Sequence, residues 1–279
     1  MKRLIILISA VYISGNVCLY AQNRHEFSLS AFGGISGLNY KVTEGSKNNQ
    51  FGDGFGAEYL YGIIPQIGIR TGIELAFYNS KYSADELNVR YKTQDMYGGD
   101  FEFRSKIKDY HETQNATFLQ IPLMLQYQTN GITRFYAAGG IRIGIPIAAK
   151  YKTDAFTIQN SGYYEFEDYE YTTQKFLGFG EFDIPEAEDN LNLKTAFFLS
   201  LETGCKFNIS SAMRVYAGIY FDCGLNNITE SAAQSYLIDY DGKNPREFTF
   251  NSILNSKTTQ AVTEKVAPLS VGIKVRMGF

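Results

Sequence analysis

Little in this sequence could carry chemistry. Of 279 residues only 2 are histidine and 3 are cysteine. His25 and His111 are therefore the only imidazoles available to a general base. Proline numbers 6, which removes the commonest interruption of extended strands. The net charge of −3 leaves no basic surplus for phosphate backbones, so nucleic acid is excluded as a partner. After the N-terminus there is no continuous apolar 18-mer, so no spanning helix is expected.

What is abundant is Tyr (21), Phe (21) and Gly (26). This is a β-rich profile with aromatic packing and glycine-tolerant strands. The clearest stretch runs from Thr117 to Ile147. Leu119, Ile121, Leu123, Leu125 and Tyr127 alternate with Gln120 and Gln126. After Thr129-Asn130-Gly131, Phe135, Ala137, Ile141, Ile143, Ile145 and Ile147 alternate with Arg134, Tyr136 and Arg142. Period-two alternation around a turn signal predicts a β-hairpin. Each arm suffices to cross a bilayer, which takes about 9–11 tilted residues.

Residues 1–21 have the form of a secretory signal. Lys2 and Arg3 precede a short apolar run, and Leu19-Tyr20-Ala21 offers a cleavage site. Val17 before Cys18 is a poor match to the small residue a lipobox wants. The mature chain, residues 22–279, reads as one barrel domain. The strands are Glu26–Val42, Gly54–Ile63, Ile67–Tyr78, the two arms of the hairpin, Ala196–Phe207, Met213–Cys223 and Ala267–Phe279. Short turns follow the second, fourth and sixth strands, and longer loops follow the first, third, fifth and seventh. The loops Asn79–Ala116, Ala149–Thr195 and Gly224–Val266 are too long for structureless connections. They are expected to extend the strands above the membrane. An even strand count with long loops at one end predicts an all-β, eight-stranded antiparallel up-and-down transmembrane barrel.

One parity carries no charge in any of the eight strand cores. The other carries Glu58, Arg70, Glu74, Arg134, Arg142, Glu202, Lys206, Arg214, Asp222, Lys274 and Arg276. Periodicity alone does not say which face is outside, since a lipocalin-like barrel would put the apolar face inward. Three features favour the membrane: glycines crowd the charged parity, the strands are long, and the export signal agrees with the loop asymmetry. Eight strands enclose a lumen that side chains fill. The charged residues are then expected to pair as a plug, since a buried unpaired ion costs several kcal/mol. Val215→Arg is expected to block assembly at about 2–4 kcal/mol if Val215 lies near the midplane. Cys205 and Cys223 fall at opposite ends of adjacent strands and are expected to be unpaired and lipid-facing.

The segments LQIPLMLQYQ…RFYAAGGIRIGIPI, FDCGLNNI and LSVGIKVRMGF resemble the outer-membrane β-barrel domain family common in Bacteroidetes, which includes PorT-like proteins. The resemblance spans the mature chain and implies a fold rather than an activity. PorT-like proteins imply, as one alternative, a part in a secretion or envelope assembly. Phe279, with Met277, Val275, Ile273 and Val271 before it, looks like the C-terminal signal read by the barrel assembly machinery. With the chain stopping there, the peptidoglycan-binding domain of OmpA-like proteins is expected to be missing.

His111 lies between acids in Asp109-Tyr110-His111-Glu112, compatible with a base and its orienter and equally with a solvated segment. The third loop holds Glu165, Glu167, Asp168, Glu170, Glu181, Asp183, Glu186, Glu188 and Asp189. Without EF-hand spacing it reads as a solvated acidic surface rather than a Ca²⁺ site. Loop tyrosines such as Tyr82, Tyr91, Tyr97, Tyr110, Tyr163, Tyr164, Tyr169 and Tyr171 suit either a recognition surface or aromatic girdles. The expected protein is non-enzymatic and without cofactor or metal. Its partners are outer-membrane lipid, the assembly machinery, and envelope proteins or an extracellular ligand at the loops. A small-solute or lipid-handling barrel is a further alternative.

Overall fold

The computed structural model describes residues 24–42, 44–131, 133–210, 212–229, 235–256 and 265–279. The signal segment 1–21 lies outside them. The strands are β1 (His25–Asn39), β2 (Ser46–Ile64), β3 (Ile67–Gln94), β4 (Asp100–Gln128), β5 (Thr133–Thr153), β6 (Phe156–Tyr164), β7 (Tyr169–Tyr171), β8 (Gly180–Ile184), β9 (Ala187–Asn190), β10 (Ala196–Asn208), β11 (Arg214–Gly224), β12 (Ile238–Tyr240), β13 (Phe248–Phe250) and β14 (Ala267–Gly278).

Eight of these close a ring in the order β1-β2-β3-β4-β5-β10-β11-β14, every pair antiparallel, with β14 returning to β1. Closure satisfies every edge, which a bilayer demands because lipid offers no hydrogen bonds. The turns at one end are short. At the β4–β5 turn Gly131 takes φ +128°, a conformation that favours glycine. Three expected strands prove longer than their alternation suggests: β2, β3 and β4 run well past Gly54, Tyr78 and Thr117.

The outward parity is apolar and exposed. Ile273 is 64% accessible, Phe135 63% and Ile219 61%, in a ring where a soluble barrel would present charge. The band reaches from Met277, Phe207 and Tyr127 near the short turns to Leu269, Phe197 and Ile147. Nine residues of β14 cover it, consistent with a band about 25 Å tall. Val215 pairs with Phe207 and Met277, one rung from the β10–β11 turn. It therefore lies at the membrane edge, and the midplane position on β11 is Ile219, opposite Thr203 and Ile273. Cys205 faces Ala217, whereas Cys223 faces Leu199 at the other end, and both are free thiols.

Above the band the molecule turns inside out. Lys81, Asn115 and Lys150 now take the outward positions, while Tyr82, Tyr110, Phe156, Ile158 and Ile253 are buried within. The inward parity also slips by one residue. Buried positions pass from Ala84 to Leu87 on β3 and from Tyr110 to Ile107 on β4. Asp109 between them adopts φ +54°, a left-handed kink that Asp tolerates better than most residues. Beyond it β6 replaces β5 as the partner of β4, β8 joins β6, and β9 joins β5. The β12–β13 hairpin packs on the same core, with Tyr236 stacked on Tyr91 at 3.9 Å and Tyr240 edge-on to Phe101 at 5.3 Å. From Phe77 to Gln94, β3 continues beyond the band for about 55 Å of strand length at about 3.3 Å per residue.

Candidate functional site

Eight ionised side chains meet inside the band. Glu58 faces Arg70 Nε at 3.0 Å, Lys274 Nζ at 2.8 Å and Arg276 Nη1 at 3.4 Å. Glu202 is gripped by Arg70 through both guanidinium ends, one of them at 3.1 Å, and also faces Lys274 at 3.7 Å. Glu74 pairs with Arg142 and, at 2.6 Å, with Lys274. Asp222 lies 3.4 Å from Arg142 Nε. These four acids and four bases come from six strands and are all buried. Gln126 accepts from Arg276 at 2.9 Å, and Tyr136 donates to Glu202 at 3.0 Å. The Tyr136 hydroxyl occupies space left by Gly218, where a Cβ would come within 2.7 Å of it. The cluster is neutral, which is how a low-dielectric interior tolerates eight ions.

An aromatic layer closes the lumen above the ions. Tyr78 meets Phe118 edge-on at 5.4 Å and stacks near Phe198 at 6.2 Å, and its hydroxyl accepts from Gln120 at 3.0 Å. Gly144 leaves room for both phenylalanines: a Cβ there would meet Phe198 at 2.8 Å and Phe118 at 3.3 Å.

The remaining three charged positions gather at the short-turn end. Lys206 reaches Glu26 at 3.2 Å and Arg214 reaches it at 3.4 Å. Tyr216 also donates to Glu26, at 2.6 Å. Arg134 joins neither group: its Nε donates to the Gly131 carbonyl at 3.3 Å. The eleven charged positions thus fall into a central eight, a pair on Glu26, and Arg134 apart, because β5 begins at Thr133 and places Arg134 at the mouth. Glu26 escaped notice in the sequence. Its signal was its parity with Ser28 and Ser30, opposite the apolar Phe27, Leu29 and Ala31.

Outside the membrane the most constrained polar group is Glu112. It is buried and accepts from Tyr110 Oη at 2.6 Å, Gln114 Nε2 at 2.7 Å, Ser252 Oγ at 2.6 Å and Ile253 N at 3.0 Å. Two donors come from the last long loop, so this carboxylate fastens that loop to β4. Burial raises its pKa above the ordinary carboxylate range, and the four donors offset this only in part. His111 points the other way, exposed on the outer face opposite Ser83. Alternation along β4 therefore separates its imidazole from Glu112. His25 lies at the short-turn end with Nδ1 2.5 Å from the Tyr59 hydroxyl.

Several acids of the third loop are engaged with the strands. Glu165 pairs with Lys92, Glu170 with Arg104, Glu186 with Lys152 and Glu188 with Lys150. No cluster of three metal-ligating side chains occurs among the described residues. At the far tip Phe166 is fully exposed, with Tyr97 at 78%, and Phe176 is exposed beyond Tyr171. Tyr164 donates to Asp95 at 2.8 Å, which holds the β6–β7 turn against the β3–β4 tip.

The family model described as "Outer membrane protein beta-barrel domain" matches residues 20–230. The chain belongs to that family. It is an integral β-barrel protein of the bacterial outer membrane, and its apolar band contacts lipid. Among solved structures it is similar to Neisserial surface protein A, at 10% identity and TM-score 0.34, covering 94% of this chain and 100% of that one. It is also similar to Ail, the attachment invasion locus protein of Yersinia pestis, at 12% and 0.28, covering 91% and 99%. OprG from Pseudomonas aeruginosa gives 11% and 0.30, covering 90% and 95%. No curated protein matches the chain. Within this outer-membrane barrel, the neutral lumen cluster, the cationic mouth and the aromatic extracellular tip are the three places where function could reside.

Proposed function

We propose that this outer-membrane barrel is a non-enzymatic presentation scaffold. A closed barrel holds a rigid extracellular sheet whose aromatic tip contacts a protein or glycan outside the cell. The observation that carries this reading is the contrast between the two halves. The lumen is filled by eight paired ions and an aromatic layer, while β3 and β4 continue beyond the band for about 55 Å of strand length. The tip places Tyr97, Phe166 and Phe176 in solvent. Exposed aromatic side chains on a rigid frame supply contact area at low entropic cost. The eleven charged residues serve in this reading as a plug and not as a pathway. Phe279, whose N–H donates to the Phe27 carbonyl at 2.8 Å, serves as the mark read by the assembly machinery. Residues 1–21 act as the export signal.

A second reading is a PorT-like component of a Bacteroidetes secretion or envelope assembly, supported by the resemblance of the β4–β5, β11 and β14 segments. One experiment separates the two. Tagged protein is recovered from mildly solubilised outer membrane beside a Tyr97→Ser/Phe166→Ser variant, with boiled and unboiled gels of each. Stoichiometric envelope partners retained by the variant would favour the assembly reading. Extracellular ligand binding lost in the variant, with an unchanged heat shift, is the expected result for presentation. Ion conductance in planar bilayers would overturn the closed barrel.

A further inference from the structure

The short-turn end opens into a cup of about 610 Å³, the size of a small-ligand site. Its walls differ. On the β5, β10 and β11 side stand Arg134, Lys206 and Arg214, while Arg24, whose carbonyl accepts from Gly62 N at 2.7 Å, lines the cup from beside β2. Across the ring the β2–β3 turn supplies Ile64, Pro65 and Ile67, with Leu60 below. Among the described residues the only carboxylate in the lining is Glu26, which Lys206 and Arg214 already share. Both Arg134 and Arg214 act on the Lys206 ammonium as like charges. The central eight are balanced among themselves, so no surplus acid from the lumen answers this excess. Four cations and one acid leave the cup strongly positive in a mouth walled by low-dielectric material, where fields are poorly screened.

We infer that this mouth is a binding site for a phosphate ester. Among the described residues the guanidinium of Arg134 donates only its Nε–H, to a backbone carbonyl, which leaves its paired terminal N–H groups for a ligand. Arg214 is partly exposed and spends one terminal nitrogen on Glu26. Two guanidinium forks match a phosphate, whose oxygens accept several charge-assisted hydrogen bonds, and the buried Lys206 ammonium, which donates to Glu26 and Gln128 at 3.2 Å, adds its charge. A phosphate monoester, which is dianionic, also answers a surplus of this size better than a single carboxylate does, whereas the singly charged diester of a phospholipid would be held by the forks and the apolar wall together. The apolar β2–β3 wall suits the organic part of an ester and has no use for a bare ion. Short turns face the periplasm, so the ester is either the headgroup of a phospholipid in the inner leaflet or a free periplasmic phosphate ester.

The full chain in a neutral maltoside detergent tests this. Calorimetric titration with glycerol 3-phosphate is run beside native mass spectrometry after adding phosphatidylglycerol. Wild type is compared with Arg134→Ala/Arg214→Ala, and the heat shift on gels checks that both are folded. Saturable one-site binding of glycerol 3-phosphate, weakened about tenfold or more in the variant, is expected for a free ester. One retained phosphatidylglycerol without glycerol 3-phosphate binding, lost in the variant, would assign the lipid headgroup. Should the alanine variant fail to fold, Arg134→Lys/Arg214→Lys keeps the charge and removes the forks, and weaker binding is still expected. The inference is overturned if neither probe binds, or if a folded variant binds as well as wild type. This end lies opposite the extracellular tip, so the result is independent of what the tip contacts.

Discussion

Inside the band a single carboxylate answers several cations, so the effect of removing it differs from that of removing a surface charge. Glu202 serves Arg70 and Lys274 together. Glu202→Ala would leave four buried cations facing three carboxylates in a dry interior, and a loss of about 3–5 kcal/mol is expected. The midpoint of the heat or guanidinium transition in detergent measures it. Arg134→Ala, half-exposed and outside the ion network, should change the same midpoint by about 0.5 kcal/mol or less. Glu112 poses a different residue-scale question, because it lies above the membrane and its pKa is raised by burial. Between its unfolded value and that raised value the folded state holds the proton and the unfolded state does not. Stability contributed by this group therefore falls as pH rises through that window. Proteolysis or hydrogen exchange at Ser252–Leu254 should report tighter docking on the acid side, and Glu112→Gln should flatten that dependence.

At the scale of the strand, depth in the membrane decides what a charge costs. Ile219 sits midway along β11, while Val215 sits one rung from its turn. Ile219→Arg is expected to cost about 2–4 kcal/mol, and Val215→Arg about 0–1 kcal/mol. Assembly yield in the outer membrane and the unfolding midpoint of refolded protein compare the two. Equal yields for Ile219→Arg and wild type would mean that the apolar face is not in lipid. The β3–β4 hairpin was legible from Ile67 to Tyr78 and from Thr117 onward because Ile, Leu and Phe alternate there with Gly, Arg and Gln. It was illegible beyond, where both faces carry polar residues. Lys and Ser alternate with Tyr, and the kink at Asp109 shifts the inner face by one residue. An alternation that slips its phase midway looks like a loop to any period-two reading.

The whole molecule is two interiors stacked on one set of strands. Below, polar side chains face inward because lipid takes the outside. Above, apolar side chains face inward because water does. The interface is the layer of Tyr78, Phe118 and Phe198. That layer and the ion cluster together predict no steady conductance in planar bilayers. Phe118→Ala/Phe198→Ala would remove the lid without touching the ions, and leakage is still expected to be absent because the ion cluster remains.

The alternation of charge and apolar side chains by itself determined where the eight ring strands would form and which residues would share a face; the export signal, the glycines and the loop asymmetry then said which face was the lumen. Local periodicity is a property of the chain, and an exported chain with long loops at one end has few ways to satisfy it. Only the tertiary structure decided how the eleven charges divide. Pairing across a barrel depends on ring order and strand stagger, which no single strand carries. Those two quantities brought four acids to four bases in the centre. They left Arg134, Lys206 and Arg214 with Glu26 at the mouth, where an excess of positive charge faces the periplasm.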